Sequence, residues 1–315
     1  MGSTPARASM SMEQSVVDTS VDLVDVSKCP ICGSPSRSPF EIVHENERTV
    51  TYQLCGSCGT VFQSPRMTDN SLRSYYEAEY VTQHQHATGV TEKELRIQAG
   101  RARNIAQLLT SEVSSVERHL DIGSSTGSLM LAIRGEYGNE AAGIEPAEIY
   151  RAYCEARGLT VVPDLESLNE GRFDLITMAH VLEHLPDPVG YLEDVREKWL
   201  TSDGALLVEV PNLYGHPSVE NPHLFCFSPG TLNYALARAG YEVTRLVRHG
   251  SPRSKLIPLY LTAITRPAVD VRARKPGPRL VRFKRSIGMT WNRAASRVAP
   301  GWAWLPLPDL EEAQE

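Results

Sequence analysis

The sequence predicts an α/β fold with a mostly parallel sheet. Seven short apolar segments recur between residues 117 and 265, and helical stretches fall between the earlier ones. The last two segments are joined by a Gly-Ser-Pro stretch too short for a crossover helix, which makes them a terminal antiparallel hairpin. A glycine turn, Gly123-Ser-Ser-Thr-Gly127, follows the first segment where a strand would feed a helix, as in a Rossmann-like sheet. Ahead of these stand two C-x-x-C pairs, which read as a small zinc ribbon.

In chain order, residues 1–26 are rich in Ser, Thr and Met without periodicity and are expected to be disordered. Residues 27–66 are the ribbon. Residues 67–110 read as a helical cap or linker: Tyr75, Tyr76 and Tyr80 make an aromatic patch, and Leu95, Ile97, Ala102, Ile105 and Leu109 share a helix face. Residues 111–266 are the α/β domain, with strands expected at 117–122, 140–145, 159–162, 173–178, 205–210, 241–247 and 256–265. Helices are expected at 127–135, 146–157, 187–200 and 229–239. Residues 267–315 form a basic extension, in which Arg and Lys concentrate over 272–297 among Val281, Phe283, Ile287, Met289 and Trp291.

At 315 residues, the chain has room for one medium domain and an accessory module. A net charge of −6 gives no global reason to expect nucleic acid. The best apolar run, Leu256–Ile264, is too short to cross a bilayer and is broken by Pro258. With no signal-like N-terminus a cytoplasmic location is expected, and the basic amphipathic extension suggests peripheral contact with the inner membrane face. The oligomeric state is not legible.

Cys29-Pro-Ile-Cys32-Gly and Cys55-Gly-Ser-Cys58-Gly are two knuckles, each with glycine after the second cysteine. Glycine lets the backbone turn its amides toward thiolate sulfur, and two such turns supply four ligands for tetrahedral Zn²⁺. Four thiolates close the shell, so the expected ion is structural.

The turn after the first strand lacks the G-x-G-x-x-G that a dinucleotide pyrophosphate needs. An acid, Asp121, precedes it instead, and would repel phosphate and attract an ammonium. Glu145, ending the second strand in Gly-Ile-Glu145-Pro146, is placed to accept two ribose hydroxyls. S-adenosylmethionine has the ammonium and the diol and no phosphate. The expected cofactor site is Asp121, Gly123, Ser125, Gly127, Glu145 and Pro146, with Asp164 and Leu165 near the adenine and Ala179 packing close by.

With these residues in view, positions 95–265 resemble the class I S-adenosylmethionine-dependent methyltransferases. Phe173-Asp-Leu-Ile followed by His180-Val-Leu-Glu183-His184-Leu-Pro-Asp187-Pro188 resembles the L-E-H-x-x-D-P stretch of the small-molecule members. The segment Cys29–Pro65 is similar to the ribbon fused in front of many of them. Ser125 stands where the family's D-x-G-x-G-x-G has its middle glycine. The resemblance implies methylation of a small molecule, sugar or glycan, with O-methylation as the leading reaction in natural-product or surface-polysaccharide synthesis.

A hydroxyl acceptor must lose its proton, which asks for a base near neutral pKa, and three histidines are candidates. His223 lies in the Asn-Pro-His-Leu-Phe-Cys-Phe-Ser segment that resembles a family H-x-x-x-F-s stretch. His180 follows the fourth strand, and His184 comes one turn later. The rival expectation is a nucleic-acid methyltransferase gripping substrate with ribbon and tail. Met178-Ala-His-Val, where base-amine methyltransferases carry Asn/Asp-Pro-Pro-aromatic, argues against amine targets.

Overall fold

The computed structural model describes residues 22–45, 48–75, 90–168, 171–217 and 223–308. Tyr76 and Tyr80 of the expected aromatic patch lie outside them, as do Asn221, Pro222 and residues 1–21 of the expected disordered N-terminus.

The ribbon comes first. A two-residue strand β1 (Leu23–Val24) pairs antiparallel with β5 (Arg66–Met67). Between them β2 (Arg37–Glu45), β3 (Arg48–Cys55) and β4 (Val61–Gln63) form an antiparallel meander. The knuckles sit at its turns, and Gly33 and Gly59 take left-handed conformations after the second cysteine of each pair. A Cβ on Gly59 would also lie 2.4 Å from the Gly277 carbonyl oxygen, so the basic extension closes over this knuckle.

Two helices follow: α1 (Asp69–Ser74) and the longer α2 (Glu92–Thr110). A reciprocal cap starts α2, Thr91 accepting from the Glu94 amide while the Glu94 carboxylate accepts from the Thr91 amide. Ala102, Ile105 and Leu109 of its buried face pack on Leu175, Leu207 and Ile264 of the main sheet.

The main sheet then builds as β6 (Arg118–Ile122), α3 (Ser128–Tyr137), β7 (Glu140–Ile144), α4 (Glu148–Glu155), β8 (Thr160–Val162) and β9 (Phe173–Ala179). Helix α5 (Pro188–Asp194) continues as a π-helix over Val195–Trp199 into β10 (Leu200–Pro211), so the segment expected to be helical over 187–200 is helical to residue 199 and changes its hydrogen-bond pattern after Asp194. A short strand β11 (Phe225–Cys226), helix α6 (Pro229–Arg238) and the hairpin β12 (Tyr241–His249) and β13 (Tyr260–Pro267) follow. The order across the sheet is β12-β13-β10-β9-β6-β7-β8. The five strands β6–β10 run parallel to one another, and β13 runs antiparallel between β10 and β12. The expected strand at 256–265 starts only at Tyr260. Pro258 has no amide to give a ladder, and the Leu259 and Pro258 carbonyls accept from the Asn212 backbone and side chain instead.

Strand β11 does not join this sheet. It pairs antiparallel with β4, making the ribbon sheet four-stranded in the order β11-β4-β3-β2. The ribbon is therefore stitched to the segment between β10 and α6. The extension supplies α7 (Val281–Val298) and α8 (Pro300–Ala303). Gly288 of α7 lies so close to the Tyr214 carbonyl oxygen that a Cβ would meet it at 1.7 Å. No described helix is long and apolar enough to cross a membrane.

Candidate active site and metal centre

In the ribbon, Cys29 Sγ lies 3.6 Å from Cys58 Sγ, and Cys32 Sγ 3.6 Å from Cys55 Sγ. All four sulfurs fall within 4.8 Å of one another. That is too far for a disulfide, whereas a tetrahedral ion with sulfurs about 2.3 Å away sets its ligands about 3.8 Å apart. The amides of Ser57 and Cys58 point at Cys55 Sγ. The Cys58 thiol is pulled down to about 5, first by its hydrogen bond with Cys29 and also by Thr60. Cys29, the other member of that pair, is pushed up by the same bond and by burial. The donor set fits Zn²⁺.

At the carboxyl end of the main sheet, Asp121 and Glu145 stand on neighbouring strand ends. Asp121 is 2% exposed, and its Oδ1 accepts from Thr177 Oγ1 across the β6–β9 register at 2.7 Å. Thr177 spends its proton on Asp121, so it must accept from His119 Nε2 at 2.8 Å. His119 can donate there as a neutral ring, because burial drives its pKa down to about 3. Burial, together with the nearby Glu145 charge, pushes Asp121 up to about 7. Glu145 is raised as well, again by burial first. Its two oxygens accept from the backbone amides of Ser125 and Ala147, each at 2.9 Å. Two buried acids held side by side, both made reluctant to ionise, form a site that a cationic, hydroxyl-bearing ligand relieves.

The turn between them is shaped by necessity. Gly123 has φ +79, and a Cβ there would lie 2.4 Å from Val181 Cγ2. Ser125, at the family's middle glycine, itself adopts φ +47, so the backbone keeps the glycine conformation at some cost in strain. Pro146 is exposed beside Glu145. Asp164 is exposed at the end of β8, where its Oδ1 caps a 3-10 turn over Leu165–Ser167 and accepts from Ser167. Leu165 is half-buried under that turn, and Ala179 ends β9.

The three candidate histidines converge. His180, with the left-handed φ of +58, places Nδ1 3.3 Å from Glu183 Oε1 and Nε2 3.6 Å from Glu209 Oε1. His184 Nε2 is 3.8 Å from Glu183, and its ring meets that of His223 edge-on at 4.8 Å. Glu183, His184 and His223 bring ligand atoms within 4.8 Å of one another, so these three can also hold a divalent cation. Burial alone would raise Glu183, but His180, His184 and His223 outweigh it and bring it down to about 2. Burial and Arg101 press the His180 pKa down, yet Glu183 and Glu209 outweigh them and raise it above the ordinary histidine value.

His223 is held by the ribbon. Its carbonyl accepts from Tyr52 Oη at 2.6 Å and from Gln63 Nε2 at 2.9 Å, next to the β11–β4 pairing. Strands β3 and β4 of the cysteine module thus brace one side of the histidine cluster.

Several residues of this site were not anticipated. Glu209 is fully buried on β10, facing Arg101 of α2 at 3.2 Å, Thr262 Oγ1 at 2.8 Å and His249 Nε2 at 3.3 Å. Tyr260 packs against the rings of His180, His216 and His249 and under the Arg101 guanidinium. One signal was visible: a single acid in the otherwise apolar run Ala205–Pro211.

Residues 93–246 match the family described as a methyltransferase domain. The match takes in just under half of the chain. The chain is similar in structure to the 1,6-didemethyltoxoflavin-N1-methyltransferase of Burkholderia thailandensis, solved with 1,6-didemethyltoxoflavin and S-adenosylhomocysteine bound. That protein has 17% identity and a TM-score of 0.50, with 73% of this chain and 100% of the other covered. The magnesium protoporphyrin IX methyltransferase of Synechocystis PCC 6803 has 12% identity and a TM-score of 0.47, covering 64% of this chain and 100% of that one. The CcbJ methyltransferase of Streptomyces caelestis has 16% identity and a TM-score of 0.44, covering 54% and 90%. No curated protein matches the chain in sequence. The matched segment begins within α2, the helix that brings Arg101 to Glu209.

Proposed function

We propose that the chain methylates a hydroxyl of a small-molecule or carbohydrate acceptor, and that its ribbon carries a structural Zn²⁺. The observation that carries this reading is the convergence of His180, His184 and His223 on Glu183, beyond the strand ends that hold Asp121 and Glu145.

Asp121 would hold the amino-acid ammonium of the cofactor, Glu145 its ribose diol, and the backbone from Gly123 to Gly127 its tail. When bound, S-adenosylmethionine supplies a methyl group on a sulfonium, a leaving group that needs no acid. The protein's work is then to align the acceptor and to remove its proton. His223 takes that proton. His184 behind it, against ionised Glu183, steadies the imidazolium that forms. His180, clamped between Glu183 and Glu209, which raise its pKa, orients the acceptor rather than deprotonating it. Tyr260, His216 and His249 line the acceptor side.

The 1,6-didemethyltoxoflavin enzyme methylates nitrogen, so amine acceptors belong in the test. Hydroxylated and amino acceptors are incubated with the protein and S-adenosylmethionine, and products are read by mass spectrometry. A hydroxyl product lost in His223→Ala, with cofactor binding kept, supports the reading. An amine product indifferent to His223 overturns it.

A further inference from the structure

We infer that α7, α8 and the segment leading into them form a docking surface for an anionic lipid bilayer. Between residues 271 and 308 there are nine arginines and lysines and no acid, in a chain whose net charge is −6. All but Arg285 are exposed.

The helix has one buried side and one exposed apolar side. The first, formed by Val281, Arg285, Asn292 and Ala295, is buried against the body of the protein. There Arg285 donates to the Leu213 and His216 carbonyls, and Asn292 to the Gly215 carbonyl. The other side faces solvent. Phe283, Ile287, Trp291 and Val298 recur every three or four residues, or two turns on, and are 60, 53, 51 and 85% exposed. Trp302 of α8 is 63% exposed as well. The same spacing puts Arg282, Arg293 and Arg297 along one edge of the stripe and Lys284 along the other.

A stripe of aromatic and aliphatic side chains flanked by cations, on a helix unable to span a membrane, is built to lie in the headgroup region. Other occupants fit less well. A second copy of this face would set its cations against like charges. A nucleic-acid backbone would meet the cations but leave the stripe in water. A bilayer bearing anionic lipid answers both features.

The surface is also tied to the pocket. Through Arg285 and Asn292, α7 grips residues 213–216, which present His216 to Tyr260.

The test is flotation of the full-length protein with vesicles of phosphatidylcholine alone or mixed with phosphatidylglycerol, which needs no activity. The protein is expected to float with the anionic vesicles only, less as salt rises, with a blue shift of tryptophan emission. Arg293→Gln with Arg297→Gln is expected to weaken partitioning on the order of 30-fold, and Ile287→Glu to abolish it. Both variants are expected to keep wild-type melting and S-adenosylmethionine binding, which separates loss of docking from misfolding. Failure to float at low salt, or equal binding to neutral vesicles, overturns the inference. So does a dimer that Ile287→Glu dissociates, or salt-dependent RNA binding without flotation.

Discussion

Replacing Asp121 with Asn is expected to stabilise the protein while removing its cofactor. Asp121 is fully buried, and its carboxyl is raised from the ordinary 3.8 to about 7. The folded protein therefore holds a proton between about pH 4 and pH 7 that the unfolded chain gives up, and stability falls as pH rises through that window. Three pKa units correspond to about 4 kcal/mol of lost stability above pH 7, an upper bound on what relief of this charge returns. Asn has the shape of the protonated acid and can still accept from Thr177. Its advantage over wild type is expected to be absent below about pH 4 and complete above pH 7, worth several degrees of Tm. Removing a buried partner of a cation costs about 2–5 kcal/mol, so S-adenosylmethionine binding weakens about 30-fold or more. Thermal melts from pH 4 to 8 and calorimetry read the two effects. A variant that melts lower than wild type at pH 8, or that binds the cofactor normally, refutes the reasoning.

Chelation, or Cys55→Ser, is expected to release one Zn²⁺ per chain by elemental analysis and to lower Tm. Methyl transfer falls too, because the ribbon strand pins His223; full activity in metal-free protein would contradict this. Glu183→Gln removes a carboxylate held at about 2 rather than 4.5. Its contribution of about 3 kcal/mol is present above the ordinary value and lost as pH falls toward 2, so denaturant melts of wild type and variant are expected to differ at pH 7 and converge in acid. His223→Ala is expected to lower kcat about 10²–10⁴-fold with cofactor affinity unchanged. Ser125→Gly exchanges left-handed strain for glycine's backbone entropy, for a gain of about 0.5–1 kcal/mol by denaturant melt.

What the sequence discloses here is local. Apolar runs ended by acids located β6 and β7, and cysteine spacing located the knuckles, because strand burial and metal ligation write themselves into nearby residues. The insertion of β13 between β10 and β12 is a pairing between distant segments with no local mark. Neither is there one for β11, which leaves its neighbours to join the ribbon more than 160 residues earlier in the chain. The pocket follows the same rule. His180, His184 and His223 stood in recognisable stretches, whereas Arg101, His216, His249 and Tyr260 became site residues only when four separate elements closed around them. Glu209 was visible as an acid in an apolar strand, but its partners were not.

The cofactor's grip on Asp121 can be measured most directly by titrating the wild-type protein with S-adenosylmethionine in calorimetry across pH. A bound ammonium draws the Asp121 pKa down, so binding must expel the proton that Asp121 holds below pH 7. Affinity is expected to rise up to tenfold per pH unit toward pH 7 and then level, with proton release seen as a buffer-dependent heat. A pH-independent affinity, or binding of a dinucleotide in place of S-adenosylmethionine, would contradict it.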